Sequence, residues 1–293
     1  NVSKFVNNLI TISKLVPLAL FIAIGIFFIN GANFTPVFPQ DIYVDGSFAQ
    51  AAVLLFFAYT GFEVIAIAAE DMKNPKKNLP RAIIMCMLLV SVLYMAILAV
   101  SIGVLGTDLA NTKAPVQDAF NVIVGPIGMY IVLVGTLISM GGINFAEAYY
   151  APRVATSMAE DGMLPSALAK RNRYNAPYVA AIVTAIASVL LAWSGSFTTL
   201  AAISAVSRFT QYLPTCLAVI IFRRKWADKA RSYTIPGGYL IPVIAIGTSL
   251  WMLAQAQTNQ LLWGLGGCIV ILPFYYSYWK KKKAGLIKDH DEM

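Results

Sequence analysis

Eight long apolar stretches constrain what this chain can fold into more than any motif does. A helix needs about 20 mostly apolar residues to span a bilayer. Stretches of that kind run from Leu9 to Ile29, Phe48 to Ala69, Ala82 to Leu105 and Pro126 to Tyr150. They continue from Tyr178 to Trp193, Phe197 to Phe222, Leu240 to Ala256 and Leu261 to Trp279. Lipid offers backbone N–H and C=O groups no partner, so each stretch must satisfy them internally, as a helix does. Charge points the same way. Charged residues make up 12% of the 293, about half the share usual in soluble domains. The expected fold class is an all-α integral membrane protein with eight transmembrane helices in a single membrane domain over residues 1–293, embedded in the lipid bilayer.

The net charge of +8 does not point to nucleic acid, because the basic residues alternate between connections. Lys73, Lys76, Lys77 and Arg81 share one set of connections with Arg153, Lys170, Arg171 and Arg173. The same set holds Arg223, Arg224, Lys225, Lys229 and Arg231, then Lys280 to Lys283. In the other set, the segments 30–47, 106–125, 194–196 and 257–260, the only basic residue is Lys113. The positive-inside rule assigns the first set to the cytoplasm. The expectation is a multi-pass protein of the plasma (inner) membrane with a cytoplasmic C-terminus. The chain starts at Asn1 directly before an apolar segment, which reads as a chain whose natural N-terminus lies upstream. The connection 107–125 contains Ala114-Pro115 and a short surface helix is expected there. Cys86, Cys216 and Cys268 sit apart in apolar runs, and the one His, His290, is in the tail. No metal site, disulfide framework or other cofactor is expected. Neither a zinc-protease, a nucleophile-elbow nor a phosphate-loop motif occurs, and no cluster of acid, base and nucleophile lies at one depth, so an enzyme is not expected.

Broken helices and buried charges survive in lipid where they line a cavity or meet a partner. Four places qualify. In the second span, Phe56-Phe57-Ala58-Tyr59-Thr60-Gly61-Phe62-Glu63 puts a glycine, a hydroxyl and a carboxylate in mid-span. An unwound stretch there would free backbone carbonyls for an ammonium and N–H groups for a carboxylate. Alternatively, Gly61 serves close packing and Glu63 pairs with a neighbouring helix. Lys14 lies inside the first span. It either snorkels to the surface or sits within the bundle, where burial disfavours its charge and suits it to carry a proton. Ser139, Gly141, Gly142 and Asn144 form a small-residue stretch, and Asn144 and Glu147 share a helix face; alternatively the stretch is a packing seam with Glu147 near the cytoplasmic end, the reading preferred for Glu147. Arg208, deep in the sixth span, needs a carboxylate or water. Glu63 and Glu147 are the carboxylates at membrane depth, and a charge pair of Arg208 with either is open, Arg208–Glu147 being the one singled out, with a purely structural role equally open.

Two longer runs carry a resemblance. One is the stretch from Phe57 to Glu63 followed by Glu70-Asp71-Met72-Lys73-Asn74-Pro75-Lys76-Lys77-Asn78-Leu79-Pro80-Arg81-Ala82-Ile83. The other is Arg153 followed by Met158-Ala159-Glu160-Asp161-Gly162-Met163-Leu164-Pro165. With Asn7-Asn8 ahead of Lys14, these runs resemble the sixth helix, eighth helix and fifth helix of the amino acid–polyamine–organocation superfamily, in that order. The resemblance covers nearly the whole chain. It implies helices five to twelve of that family's inverted-repeat fold. Residues 1–47 would be the fifth helix and outer loop, 48–225 the second repeat with helices six to ten, and 226–293 two trailing helices and the tail. The first four helices, including half of the family's substrate site, would lie outside this sequence.

The resemblance also assigns roles. Phe57 is similar to the aromatic that closes over substrate, and Ala58, Tyr59, Thr60 and Gly61 to the unwound segment that holds its polar groups. Phe62 and Glu63 match positions that tune side-chain preference or proton sensitivity. Lys14 resembles a lysine standing in for a sodium ion, and Ser139 and Asn144 fall near that coupling site. Glu147 has no counterpart; a second carboxylate near the pocket favours a cationic substrate. The implied function is secondary transport of amino acids, or of related amines and polyamines, by alternating access. Proton-coupled symport is the first reading and exchange the alternative, with a channel or structural subunit as the reading of another class. The coupling ion would be a proton rather than sodium, and oligomeric state is left open.

Overall fold

The computed structural model describes residues 2–35, 47–63, 65, 72–228, 231 and 233–283. Among these there is no β-strand. The α-helices are α1 (Val2–Gly25), α2 (Ser47–Ala58), α3 (Pro75–Leu105), α4 (Pro115–Val124) and α5 (Pro126–Glu160). They continue with α6 (Tyr178–Ser194), α7 (Phe197–Lys225), α8 (Leu240–Gln255) and α9 (Thr258–Lys283). By length and composition α1, α3, α5, α7 and α9 can cross a membrane, while α2, α6 and α8 are shorter apolar helices. Eight apolar helices thus occupy the eight expected spans. The second differs: α2 ends at Ala58, well short of the expected Ala69, and residues 66–71 lie outside those described. On α3 the residues Met85, Leu88, Leu89, Val92 and Met95 are exposed. An apolar stripe of this kind is stable only against an apolar surrounding, which fits a multi-pass membrane protein.

The chain divides into two compact units, Asn1–Tyr43 with Cys86–Tyr150, and Val44–Met85 with Ala151–Met293. In the first, Phe21 of α1 meets Phe120 of α4 edge-on with ring centroids 5.7 Å apart. Val100, Ala119, Ile123 and Val132 complete that core. The short helix expected in the 107–125 connection is therefore α4, and it packs inward rather than lying on the surface. The end of α1 is tied to α3: the Asn30 N–H and the Asn33 side-chain amide both donate to the Gly103 carbonyl, at 2.9 and 2.8 Å. A methyl group at Gly103 would come within 2.8 Å of Ile29, so a side chain there would break the tie.

In the second unit α7 is central and packs on α2, α8 and α9. Val53, Ala202 and Ala205 form its buried core, with Leu54, Phe56, Phe57 and Met252 around it. Small residues let the helices approach: a Cβ at Gly264 of α9 would meet Val206 of α7 at 2.7 Å. At the same crossing the Ser207 hydroxyl donates to the Gly264 carbonyl at 3.0 Å.

Both long motifs prove to be helix punctuation. Asn74 takes a left-handed φ of 50°, Pro75 opens α3, and the Asn78 side chain donates to the Lys73 carbonyl at 2.6 Å. Proline suits a first helical position, where its missing N–H costs nothing. At the end of α5, Gly162 has φ +78°. Its N–H reaches the Ala159 carbonyl at 3.1 Å, and the Met163 N–H reaches that of Met158 at 2.8 Å. These two bonds make a Schellman cap, and Pro165 prevents the helix from resuming.

Candidate functional site

The break after α2 is built by four residues. The Tyr59 N–H bonds to the Phe56 carbonyl and the Thr60 N–H to that of Phe57, so the helix tightens into turns. The Thr60 hydroxyl also donates to the Phe57 carbonyl, at 2.7 Å. Gly61 then takes φ +105°, a conformation that only glycine adopts readily. Its N–H donates to Glu63 Oε2 at 2.8 Å. The carboxylate thus caps the break from which it hangs, satisfying a donor that the interrupted helix leaves over.

Glu63 has a second partner. Its Oε1 pairs with the guanidinium of Arg208 on α7, the two side chains being 15% and 34% exposed. Of the two carboxylates open to Arg208, the one it holds is Glu63, so the Arg208–Glu147 pair singled out from the sequence is revised. Packing explains the choice. Phe56 stacks on Phe209 at 4.7 Å and meets Tyr212 edge-on at 5.8 Å, and Phe62 lies over Tyr212 at 5.9 Å. These rings bring the break against the turn of α7 that carries Arg208. Sequence reading included Phe56 in the candidate stretch without giving it a role, and missed Phe209 and Tyr212. Their signal was an aromatic spacing of three along α7, visible only once α2 was known to be the partner.

Phe57 points along the same helix pair, edge-on to Phe197 at 6.1 Å. Phe57, Tyr59, Thr60, Phe62 and Glu63 are half-buried, and Ala58 and Gly61 are exposed. All seven residues predicted for the substrate segment therefore belong to one short stretch at the end of α2, in the second unit.

The predicted coupling residues lie in the first unit. Lys14 on α1 is half-buried, as is Ser139 on α5, whereas Asn144 and Glu147 are exposed. Two close contacts hold α1 on α5: Pro17 fills the space a side chain at Gly135 would need, and Ile10 that at Gly142, each at 2.5 Å from such a Cβ. These contacts bracket Lys14 and Ser139 at one level of the crossing. Asn144 lies beyond Gly142, outside the bracket.

The sequence matches the family model described as amino acid permease over residues 1–278. Among curated proteins it is 30% identical to the branched-chain amino acid permease BcaP of Bacillus subtilis (strain 168), covering 95% of this chain and 60% of that protein. It is 30% identical to the methylthioribose transporter of the same organism, over 94% of this chain and 59% of the relative. Against the serine/threonine exchanger SteT, also of that organism, identity is 29% over 96% of this chain and 65% of the relative. The chain thus spans about 60% of the length of the first two of these relatives. All three are named for transport or exchange and none for catalysis, in keeping with the expectation that this is not an enzyme. The motifs, the all-helical apolar architecture with its broken second span, and the match over nearly the whole chain agree that this protein belongs to the amino acid permease family.

Proposed function

We propose that this chain is part of a secondary active transporter that moves neutral amino acids across the plasma membrane by alternating access. One observation carries the choice of neutral substrates: both oxygens of Glu63 are engaged, one by Gly61 N–H and one by Arg208. A carboxylate so committed offers no free charge to a cationic side chain, and its pairing leaves the break electrically balanced. The hint of a basic or amine substrate in Glu63 and Glu147 loses its footing on this reading. The broken helix remains, with backbone groups suited to the ammonium and carboxylate that all amino acids share. The names of BcaP and SteT, for branched-chain amino acids and for serine and threonine, are of the same class. Lys14 is the proposed proton carrier and Ser139 its neighbour across the helix crossing. Proton-coupled symport is the mechanism favoured, with the C-terminus in the cytoplasm.

The test is uptake by the gene-encoded protein in proteoliposomes. A panel of neutral, cationic and anionic amino acids, polyamines and methylthioribose is offered with and without an imposed proton gradient. Saturable, gradient-stimulated uptake of neutral amino acids is expected. Uptake that needs internal substrate but no gradient would establish exchange instead. Preferred uptake of lysine, arginine or a polyamine would overturn the neutral assignment, and ion conductance without uptake would overturn transport.

A further inference from the structure

We propose that a cavity between the start of α3 and the α7–α8 connection binds the phosphate headgroup of an anionic phospholipid. The cavity measures about 430 Å³ and is lined by Lys76, Lys77, Arg81 and Tyr233. Its volume suits a glycerophosphate headgroup rather than one small ion. All four residues belong to the second unit.

Three features point to a phosphate. The first is local electrostatics. Lys76, Lys77 and Arg81 lie in the first two turns of α3, and no acidic residue occupies its first turn. Cations there oppose the helix macrodipole, which favours an anion at that end. Lys77 and Arg81 also repel each other across one turn, being four residues apart. Among the described residues nothing offsets this repulsion, and a bound anion would.

The second feature is that, among the described residues, the side chains of these three cations have no hydrogen bond or ion pair with the protein. The neighbouring arginines are spent. Arg223 donates to the Ile235 carbonyl at 2.9 Å. Arg231 donates to the carbonyls of Phe222 and Trp226 at 3.1 and 2.9 Å. Those bonds hold the connection that presents Tyr233, whose hydroxyl can donate to a phosphate oxygen and whose ring suits the membrane interface.

The third feature is position. These residues fall in the connections that the distribution of Lys and Arg assigns to the cytoplasm, where the leaflet carries anionic lipid. A topology signal needs positive charge on that side but does not need three cations to converge on one cavity. A lipid headgroup does.

The test uses the gene-encoded protein, delipidated in detergent, with native mass spectrometry reading the affinity of its tightest lipid site. Dioleoyl phosphatidylglycerol and dioleoyl phosphatidylcholine are the probes. Each surface cation contributes roughly a fivefold factor in attraction to anionic lipid. The triple variant Lys76→Gln/Lys77→Gln/Arg81→Gln should therefore bind phosphatidylglycerol at least about tenfold more weakly, with phosphatidylcholine binding unchanged. Arg81→Gln alone, which perturbs the fold less, should lose a few fold. The control Lys170→Gln/Arg173→Gln should bind as the wild type does. Wild-type affinity in the triple variant, or an equal loss in the control, would overturn the site. Displacement of the lipid by millimolar inorganic phosphate would overturn the assignment to a membrane lipid in favour of a soluble phosphate.

Discussion

Arg208 on α7 holds the carboxylate of Glu63 in the broken segment that follows α2. Because Glu63 also accepts from Gly61 N–H, the pair fixes the backbone of the break as well as the contact between two helices. Removing one partner leaves a charge uncompensated in a partly desolvated place, a loss of about 1–3 kcal/mol. Glu63→Gln and Arg208→Gln should each lower the thermal unfolding temperature in detergent. The double variant should lose less than the two single losses added, since it leaves no orphan charge. Arg208→Gln should in addition let lysine compete with the neutral substrate, because it frees a carboxylate at the break. Strict additivity of the two stability losses would argue against the pair. Continued exclusion of lysine would argue against its role in selectivity.

Gly61 and Gly162 separate backbone geometry from function. Both have left-handed φ, +105° and +78°, and alanine at either is expected to cost about 1–2 kcal/mol through conformation. At Gly61 no atom of the described residues lies within 4 Å of an added Cβ, so the cost expected there is conformational. Gly162 closes the cap of α5, so Gly162→Ala should destabilise while leaving substrate KM unchanged. Gly61→Ala should raise KM as well, because it re-aims the backbone groups of the break. Equal KM values for the two variants would remove the break from the binding site.

What could be read from the sequence follows from the range of each interaction. The apolar runs marked the helices because lipid demands local hydrogen bonding, and Asn74-Pro75 and Gly162 marked helix ends because caps use neighbouring residues. The place of the break was legible from Gly61 for the same reason. The partner of Arg208 was not. Glu63 and Glu147 are equivalent by composition and depth, and the choice rests on Phe56 stacking on Phe209, a contact between residues remote in sequence. Nor was the inward packing of α4 visible, because Ala119, Phe120 and Ile123 declare a face only when Phe21 is opposite them.

The adjacent residues Phe56 and Phe57 should behave differently. Phe56 is stacked on Phe209 and touches Tyr212, so Phe56→Ala removes core packing and should cost about 3 kcal/mol. Phe57 also borders the Val53–Ala202–Ala205 core, but its ring partner Phe197 is 75% exposed, so Phe57→Ala should cost less than Phe56→Ala. If Phe57 closes over substrate, its alanine variant should reduce kcat/KM at least tenfold with surface expression intact. Near-normal uptake would remove Phe57 from that role.

Lys14 tests the coupling proposal. It is half-buried on α1, and among the described residues it has no carboxylate partner. The contacts of Ile10 with Gly142 and Pro17 with Gly135 fix its level on the helix. A lysine held there can carry a proton only if its charge changes during the cycle, and it can stand in for a bound cation only if its charge persists. The two roles predict different variants. If Lys14 carries the proton, Lys14→Ala and Lys14→Arg should both take up substrate without stimulation by a proton gradient, since arginine retains its proton. If it serves as a fixed charge, Lys14→Arg should keep the activity that Lys14→Ala loses, at every external pH. Gradient-stimulated uptake in the alanine variant would exclude both roles.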